Sequence, residues 1–297
     1  MSDNNSNQAN HIAIIGGSGL YKMDGFSLEE EIMFDTPFGK PSDAIMSGTI
    51  AGRQVYFLPR HGRDHTILPQ EINHRANIWA LKSLGVSFII CVTAVGSLQE
   101  QYAPRDIVLF DQFYDRTSRR NEHTFFGEGI VAHIPFADPI SEDLRSILST
   151  VAKDEGGTVH DGGTYVNMDG PAFSTRAESN ANRQLGFDII GMTNVAEAKL
   201  AREAEISLAT LSMITDYDCW KVEEEPVSLQ TVIGHLMHNS EQAQKVIQRA
   251  IPLIPTDATW PEHNCLRQSI VTQPDNWPAA TVDKIRPILQ KYLPSET

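Results

Sequence analysis

Ile206-Ser207-Leu208-Ala209-Thr210-Leu211-Ser212-Met213-Ile214-Thr215-Asp216-Tyr217-Asp218 is an uncharged, largely apolar run that ends in two carboxylates. Its small and β-branched residues read as a buried strand, although periodicity alone does not separate that from a buried helical segment. At the carboxyl end of a strand in an α/β sheet, polar side chains open into the crevice where ligands bind. Asp216 and Asp218 are therefore candidate site residues, set against the ordinary alternative of a solvated acidic loop.

Working outward, the same grammar repeats. Phe187–Ile190 reads as a strand, followed by a helix over Ala196–Glu205 that leads into the opening run. His11–Ile15 is a short apolar strand entering Gly16-Gly17-Ser18-Gly19, a tight turn whose backbone can approach a ligand. Ala44–Ile50 and Gln54–Leu58 form a hairpin across Ala51-Gly52-Arg53, and Phe88–Val92 is a strand ending in Thr93-Ala94-Val95-Gly96-Ser97. Further helices are expected ending at Gly85, over Ser141–Glu155 with Ser141 as cap, opening near Ser174, and over Val227–Ala250. His160–Val166 reads as one more strand and residues 113–133 as a long loop. Pro252, Pro255, Pro261, Pro274 and Pro278 break up the region that follows, with a last helix over Ala280–Tyr292. Strands alternating with helices imply an α/β fold, a single domain with a central mixed, largely parallel β-sheet flanked by helices. Residues 1–9 read as a disordered tail and 10–297 as that domain, with a C-terminal extension from about 255.

Composition narrows the function. The chain has 297 residues and a formal net charge of −14, so phosphate backbones and anionic membranes would repel it. Cys91, Cys219 and Cys265 are far apart, which is neither a disulfide framework nor a zinc ribbon, and a reducing, cytoplasmic setting is expected. The amide-rich start lacks the regions of a signal peptide, and no apolar run is long enough to span a bilayer.

In so acidic a chain, Arg60-His61-Gly62-Arg63-Asp64-His65 is a concentrated basic spot. Arg60 can offer a planar fork to a phosphate or carboxylate. His61 and His65 have a metal-ligand spacing on a helix, but Pro59 and Gly62 argue for a loop, and no metal is expected. Three strands thus end in donor-rich turns, at Ser18, at Arg60 and His61, and at Thr93 and Ala94. If they are parallel neighbours, those ends converge on one anion site.

The segments GGSGLY, PRHGRDHTILPQEINHRANIWALK, TAVGSL, MDGPAFSTRAES, MTNVAEAKLAREAE and TDYDCW carry a resemblance. Together they resemble the trimeric purine nucleoside phosphorylase family, in its branch that acts on S-methyl-5′-thioadenosine. The resemblance implies a phosphate site at Ser18, Arg60, His61, Thr93, Ala94 and Thr193. It implies Met192 against the ribose, Phe173 beside the purine, and Asp216 and Asp218 facing the base. His133 would reach the 5′ side from a neighbouring subunit of a homotrimer. Ser174 and Asp216 stand where phosphorylases of 6-oxopurines carry Glu and Asn, which favours adenine. Leu229, Val232 and Ile233 would line the 5′-methylthio group, where ordinary core packing is the plain alternative.

The implied reaction is phosphorolysis to adenine and 5-methylthioribose 1-phosphate, with Asp216 as general acid and inorganic phosphate as co-substrate in place of any cofactor. Rival readings are a phosphorylase of methylthioinosine or of purine nucleosides broadly, a nucleosidase using water, and a non-catalytic nucleoside-binding protein.

Overall fold

The computed structural model describes residues 10–17, 20, 23, 25–221 and 229–293, without the side chains of 229–233 and 236. Its strands are β1 (His11–Gly16), β2 (Ser27–Ile32), β3 (Ile45–Ile50), β4 (Arg53–Pro59), β5 (Val86–Ser97) and β6 (Ile107–Leu109), then β7 (Gln112–Asp115), β8 (Val159–Asp161), β9 (Thr164–Asn167), β10 (Ile189–Gly191) and β11 (Ser207–Asp216). The helices are α1 (His74–Ser83), α2 (Glu142–Asp154), α3 (Arg176–Gln184), α4 (Asn194–Glu203), α5 (Leu229–Ala250), α6 (Ala279–Lys284) and α7 (Arg286–Leu289).

All these strands join one mixed sheet, with a path β2-β3-β4-β1-β5-β10-β9-β7 and with β11 pairing both β5 and β6. Its centre is parallel: β1 pairs β4 on one side and β5 on the other, and β11 runs along β5. A parallel centre must be covered, which is why β1, β5 and β11 are near-continuous apolar runs. Ile12, Ile14, Phe88, Ile90, Leu208 and Leu211 are all buried, and each such side chain contributes about 1.5–3 kcal/mol of burial. Helices α2 and α5 pack on each other and on β11, while α1 and α4 pack on each other and on β5.

The β3–β4 hairpin is as the sequence implies. Its two-residue turn holds Ala51 at φ 49° and Gly52 at φ 75°, the twist a tight hairpin demands.

Several boundaries differ. The segment expected as one strand is two, β8 and β9, because Gly162 and Gly163 lie between them at φ 100° and 113°. The small residues Thr93–Ser97 continue β5 instead of leaving it as a turn, since β11 keeps pairing them. The loop expected over 113–133 begins as a strand, β7, and holds a 3₁₀ turn at Arg120–Glu122.

Ser141 precedes α2, but its hydroxyl goes to the Glu262 carboxylate at 3.2 Å and makes no cap bond. The cap of α3 is Thr175, one residue after Ser174, in a reciprocal box with Glu178. The last expected helix is broken at Ile285 into α6 and α7. Residues beyond 255 pack into the central core through Leu266, Ile285, Ile288 and Leu289. Residues 1–9, expected as a disordered tail, lie outside the described residues. Among the described residues, no helix is long and apolar enough to cross a membrane.

Candidate active site

The site forms where β1 and β4 stop level with one another alongside β5, which runs on to Ser97. Gly16 of β1 stands opposite Pro59 of β4, and Ile15 opposite Cys91 of β5. The residues that follow, Gly17, Arg60 and His61, and Thr93 with Ala94, are therefore gathered at one end of the sheet. Arg60 seals the junction: its amide donates to the Gly16 carbonyl at 2.9 Å and its Nη1 to the Val92 carbonyl at 2.9 Å. Thr93 is buried and Ala94 exposed. Ser18 lies outside the described residues.

Arg60 does not present its fork to a ligand. It is 2% exposed and gives Nε to Glu197 Oε1 at 2.5 Å and Nη2 to Oε2 at 3.1 Å. Burial opposes both charges, but each partner outweighs it, so the guanidinium is held charged with its pKa pushed up and the Glu197 carboxyl below its usual range. Arg63, likewise, is taken by Glu31 and Asp43. The basic spot read from the sequence is thus largely neutralised, as an acidic chain makes easy.

His61 donates from Nδ1 to the Ile67 carbonyl at 2.9 Å. Burial first, and then the charge on Arg60, push its pKa down to about 4, so the ring is neutral at pH 7. The rings of His61 and His65 stack at 4.5 Å, and among the described residues no cluster suited to a metal ion occurs.

Thr193 and Met192 come from the turn between β10 and α4. Thr193 is the N-cap residue of α4, buried, and its side chain makes no cap bond. The amide of Val195 donates to Asn167 Oδ1 at 3.0 Å, fixing the start of the helix beside β9.

Asp216 is the last residue of β11, as its sequence position promised. Its register partner on β5 is Gly96, which also pairs with Ile190 of β10, so three strand ends meet around the carboxylate. Oδ2 accepts from the Thr215 hydroxyl at 2.7 Å and Oδ1 from the Asp218 amide at 2.8 Å. The second bond folds the chain back as an Asx turn and carries Asp218 into the left-handed region, at φ 50°.

Burial raises the pKa of Asp216 to about 6, with the charge of Asp218 adding to it. Asp218 is raised by burial too, and its Oδ2 and the Ser179 Oγ are buried without a hydrogen-bond partner. Cys219 Sγ lies 3.2 Å from the Ser174 carbonyl, bringing Ser174 to this end of the site.

A half-buried acid with a raised pKa thus stands at the same edge of the sheet as a cluster of anion donors. That is the equipment for breaking a bond to a basic leaving group while an anion attacks. The model of the phosphorylase superfamily matches residues 11–252.

This chain belongs to the phosphorylase superfamily.

The S-methyl-5′-thioadenosine phosphorylase of Koribacter versatilis is 50% identical over 282 residues, covering 95% of this chain and 96% of that one. The enzyme of the same name from Synechocystis is 52% identical over 289 residues, covering 95% and 88%. A solved methylthioadenosine phosphorylase from an antarctic soil metagenomic library superposes with a TM-score of 0.90 at 46% identity, over 97% of this chain and 100% of that one. The Schistosoma mansoni methylthioadenosine phosphorylase in complex with adenine gives a TM-score of 0.82 at 36% identity, over 88% and 99%.

Within this chain, Arg60, His61, Met192, Thr193, Asp216 and Asp218 fall at or just past the ends of β4, β10 and β11, and Thr93 and Ala94 lie within β5 beside them. Phe173 is half exposed beside Ser174, in the turn before α3. His133 is exposed on a segment bonded to Ser269, and among the described residues nothing joins it to Asp216 or Thr193. The side chains of Leu229, Val232 and Ile233 lie outside the described residues.

Sequence reading missed Glu197 and Asn194. Asn194 is fully buried, donates to Glu197 Oε2 at 2.8 Å and accepts from Thr210 at 2.8 Å, so it ties the ion pair to β11. A signal was present: an acid among Val195, Ala198 and Ala201 needs a buried cation, and Arg60 is one.

Gly96 sets the approach of Asp216. A Cβ there would stand 3.0 Å from Asp216 Oδ1 and 3.1 Å from Ile190 Cγ2. Gly96→Ala is expected to displace the carboxylate and lower kcat roughly ten- to a hundredfold, with phosphate affinity kept. An unchanged kcat would show that the carboxylate position does not govern turnover.

Proposed function

We propose that this chain catalyses the phosphorolysis of S-methyl-5′-thioadenosine to adenine and 5-methylthioribose 1-phosphate, a pentosyl transfer in purine and methionine salvage. Inorganic phosphate is the co-substrate, and no metal or organic cofactor takes part. The observation that carries this reading is the protonatable Asp216 at the end of β11, opposite Gly96 and so three residues further along β5 than Thr93, which lies beside the ends of β1 and β4.

The glycosidic bond breaks through a cation-like sugar, so the protein has two tasks: to hold the phosphate on one face and to ease departure of the base on the other. Thr93, Thr193, His61, the Ala94 amide and Ser18 hold the phosphate, with Arg60 fixed beside them. Asp216, protonated, donates to N7 of the departing adenine. Adenine leaves as the neutral base and the sugar keeps the phosphate oxygen; the proton of the attacking hydrogen phosphate, released from the new monoester, matches the one Asp216 regains for the next turnover. Asp218 and Ser174 complete the edge that accepts a 6-amino group, with Phe173 against the purine and Met192 against the ribose. A site built to pair one exocyclic group rejects the other because a buried polar atom is left bare.

His133 reaches the 5′ group of a neighbouring subunit, which fits its exposure. Leu229, Val232 and Ile233 supply the apolar cover for the methylthio group. The assembly is a homotrimer, and the protein is cytoplasmic.

Turnover of methylthioadenosine, methylthioinosine, adenosine and inosine side by side tests the substrate. The expected result is a strong preference for methylthioadenosine. Preference for either inosine would mean that Ser174 and Asp216 do not select a 6-amino group, and equal use of adenosine would remove the 5′ assignment.

A further inference from the structure

We infer that Tyr165 is a positioning residue of the anion site, whose buried hydroxyl turns the Thr93 hydroxyl toward the bound oxyanion. This rests on the reading above that Thr93 and Thr193 hold phosphate, and it goes further by saying what aims one of those donors.

Tyr165 stands in β9, opposite Ile189 of β10 and Phe113 of β7, and is fully buried. Its ring packs on those of Phe110 and Phe113, with centroids 5.0 and 5.4 Å away. Those contacts need a ring and not a hydroxyl, so phenylalanine would serve the core as well. The oxygen has to be housed. A Cβ on Gly191 would stand 1.9 Å from Tyr165 Oη, so only glycine at 191 leaves room for it. The backbone makes no such demand, because φ at Gly191 is not positive. A glycine inside a strand weakens it, and close approach of another group is a common reason for one.

The same oxygen is buried without a hydrogen-bond partner, an arrangement that destabilises a core. It lies near the Thr93 side chain and the Thr193 amide, close enough to interact with both yet in good hydrogen-bonding alignment with neither. The sheet explains why these groups meet. β10 runs antiparallel to β5, with Ile189 opposite Ser97 and Ile190 opposite Gly96. That direction carries the chain after Gly191 back toward Thr93. The Tyr165 ring, on the next strand, reaches into the space that Gly191 leaves.

The direction of the bonds follows from what each group can give. An oxyanion accepts at its charged oxygens, so Thr93 meets it with its one hydroxyl proton. Without that call on it, the hydroxyl donates to the Ala94 carbonyl across a long 3.3 Å. Once the proton faces the anion, Thr93 Oγ1 can accept from behind, where the Tyr165 phenol has a proton to offer. Burial pushes the phenol pKa up, which keeps it in its O–H form. The Thr193 amide donates in turn to Tyr165 Oη. Three donors thus point one way, toward the anion, and each bond strengthens the next.

The test is Tyr165→Phe in the intact chain, which removes one oxygen and keeps the ring. The KM for phosphate, and its dissociation constant by calorimetric titration, are expected to rise about three- to tenfold. The KM for the nucleoside and kcat at saturating phosphate should move by less than about twofold. The melting temperature should not fall, because the group removed is an unpaired buried oxygen. In a Thr93→Ala background, Tyr165→Phe should leave the phosphate KM as it is, since the group it acts through is gone.

Unchanged phosphate affinity in Tyr165→Phe would overturn the inference, and so would an undiminished effect in the Thr93→Ala background. A variant that melts lower or fails to fold would show that the hydroxyl serves the core, and would overturn it too. Adenine release by the parent separates this inference from the functional reading. Phosphate-dependent release, with equal phosphate affinity in parent and variant, sinks only the role of Tyr165. Weaker phosphate binding by the variant, with release by the parent indifferent to phosphate, sinks only the reaction.

Discussion

Replacing Asp216 by Asn is expected to lower kcat by about 10²–10⁴-fold, the range for loss of a general acid, while leaving phosphate binding intact. Asn keeps the shape: its Oδ1 can still accept from the Asp218 amide, and its Nδ2 would donate to the Thr215 hydroxyl, which in the parent donates to Oδ2. Only the transferable proton is lost. Because burial raises the carboxyl to about 6, the parent holds its acid form up to that pH and gives it up above. The kcat/KM of the parent should therefore fall on the alkaline side of an apparent pKa near 6, a limb that Asp216→Asn lacks.

Stability falls with rising pH too. The folded carboxyl titrates at about 6 and the unfolded one at 3.8. The folded chain thus binds the extra proton between those values, and the fold loses stability as pH rises through that window. Asp216→Asn removes that loss, so at pH 8 it should melt no lower than the parent. Parallel rate profiles for parent and variant would contradict the acid assignment.

The second large effect is at Glu197. Its carboxylate is 1% exposed and bonded to Arg60, Asn194 and the Cys91 thiol. Glu197→Ala strands the Arg60 guanidinium in the core and should destabilise the fold by about 3–5 kcal/mol, read by urea unfolding. A pair this buried is not needed for stability as such, since apolar residues of similar volume often replace one without loss. Arg60→Met with Glu197→Leu is therefore expected to regain most of the stability and none of the phosphate-dependent turnover. Recovery of turnover in the double variant would mean that the pair serves only the fold.

The fold was legible where the chain is most hydrophobic. The runs at Ile12, Phe88 and Leu208 could be read as strands because a sheet buried on both faces leaves them no polar positions. Their parallel arrangement, needed for Gly17, Arg60 and Thr93 to meet, was a condition in the sequence and is a fact in the register of β1 with β4 and β5, although Thr93 lies within β5 and not in a turn.

What the sequence could not carry was pairing at a distance. Arg60 reads as a free cation until Glu197, 137 residues later, is seen against it. Ser141 reads as a cap until Glu262 takes its hydroxyl. Both errors have one cause: a side chain with two available partners goes to the buried one, where an unpaired group costs most. Asp216 escaped that uncertainty because its partners, Thr215 and Asp218, are its neighbours in the chain.

The central claim is that phosphate, and not water, is the nucleophile. Phosphorus NMR of the intact chain turning over methylthioadenosine in limiting phosphate tests it most directly. The account predicts that inorganic phosphate disappears one for one with adenine release and reappears as a sugar 1-phosphate resonance. Adenine release with the phosphate signal unchanged, and free methylthioribose as the product, would contradict it.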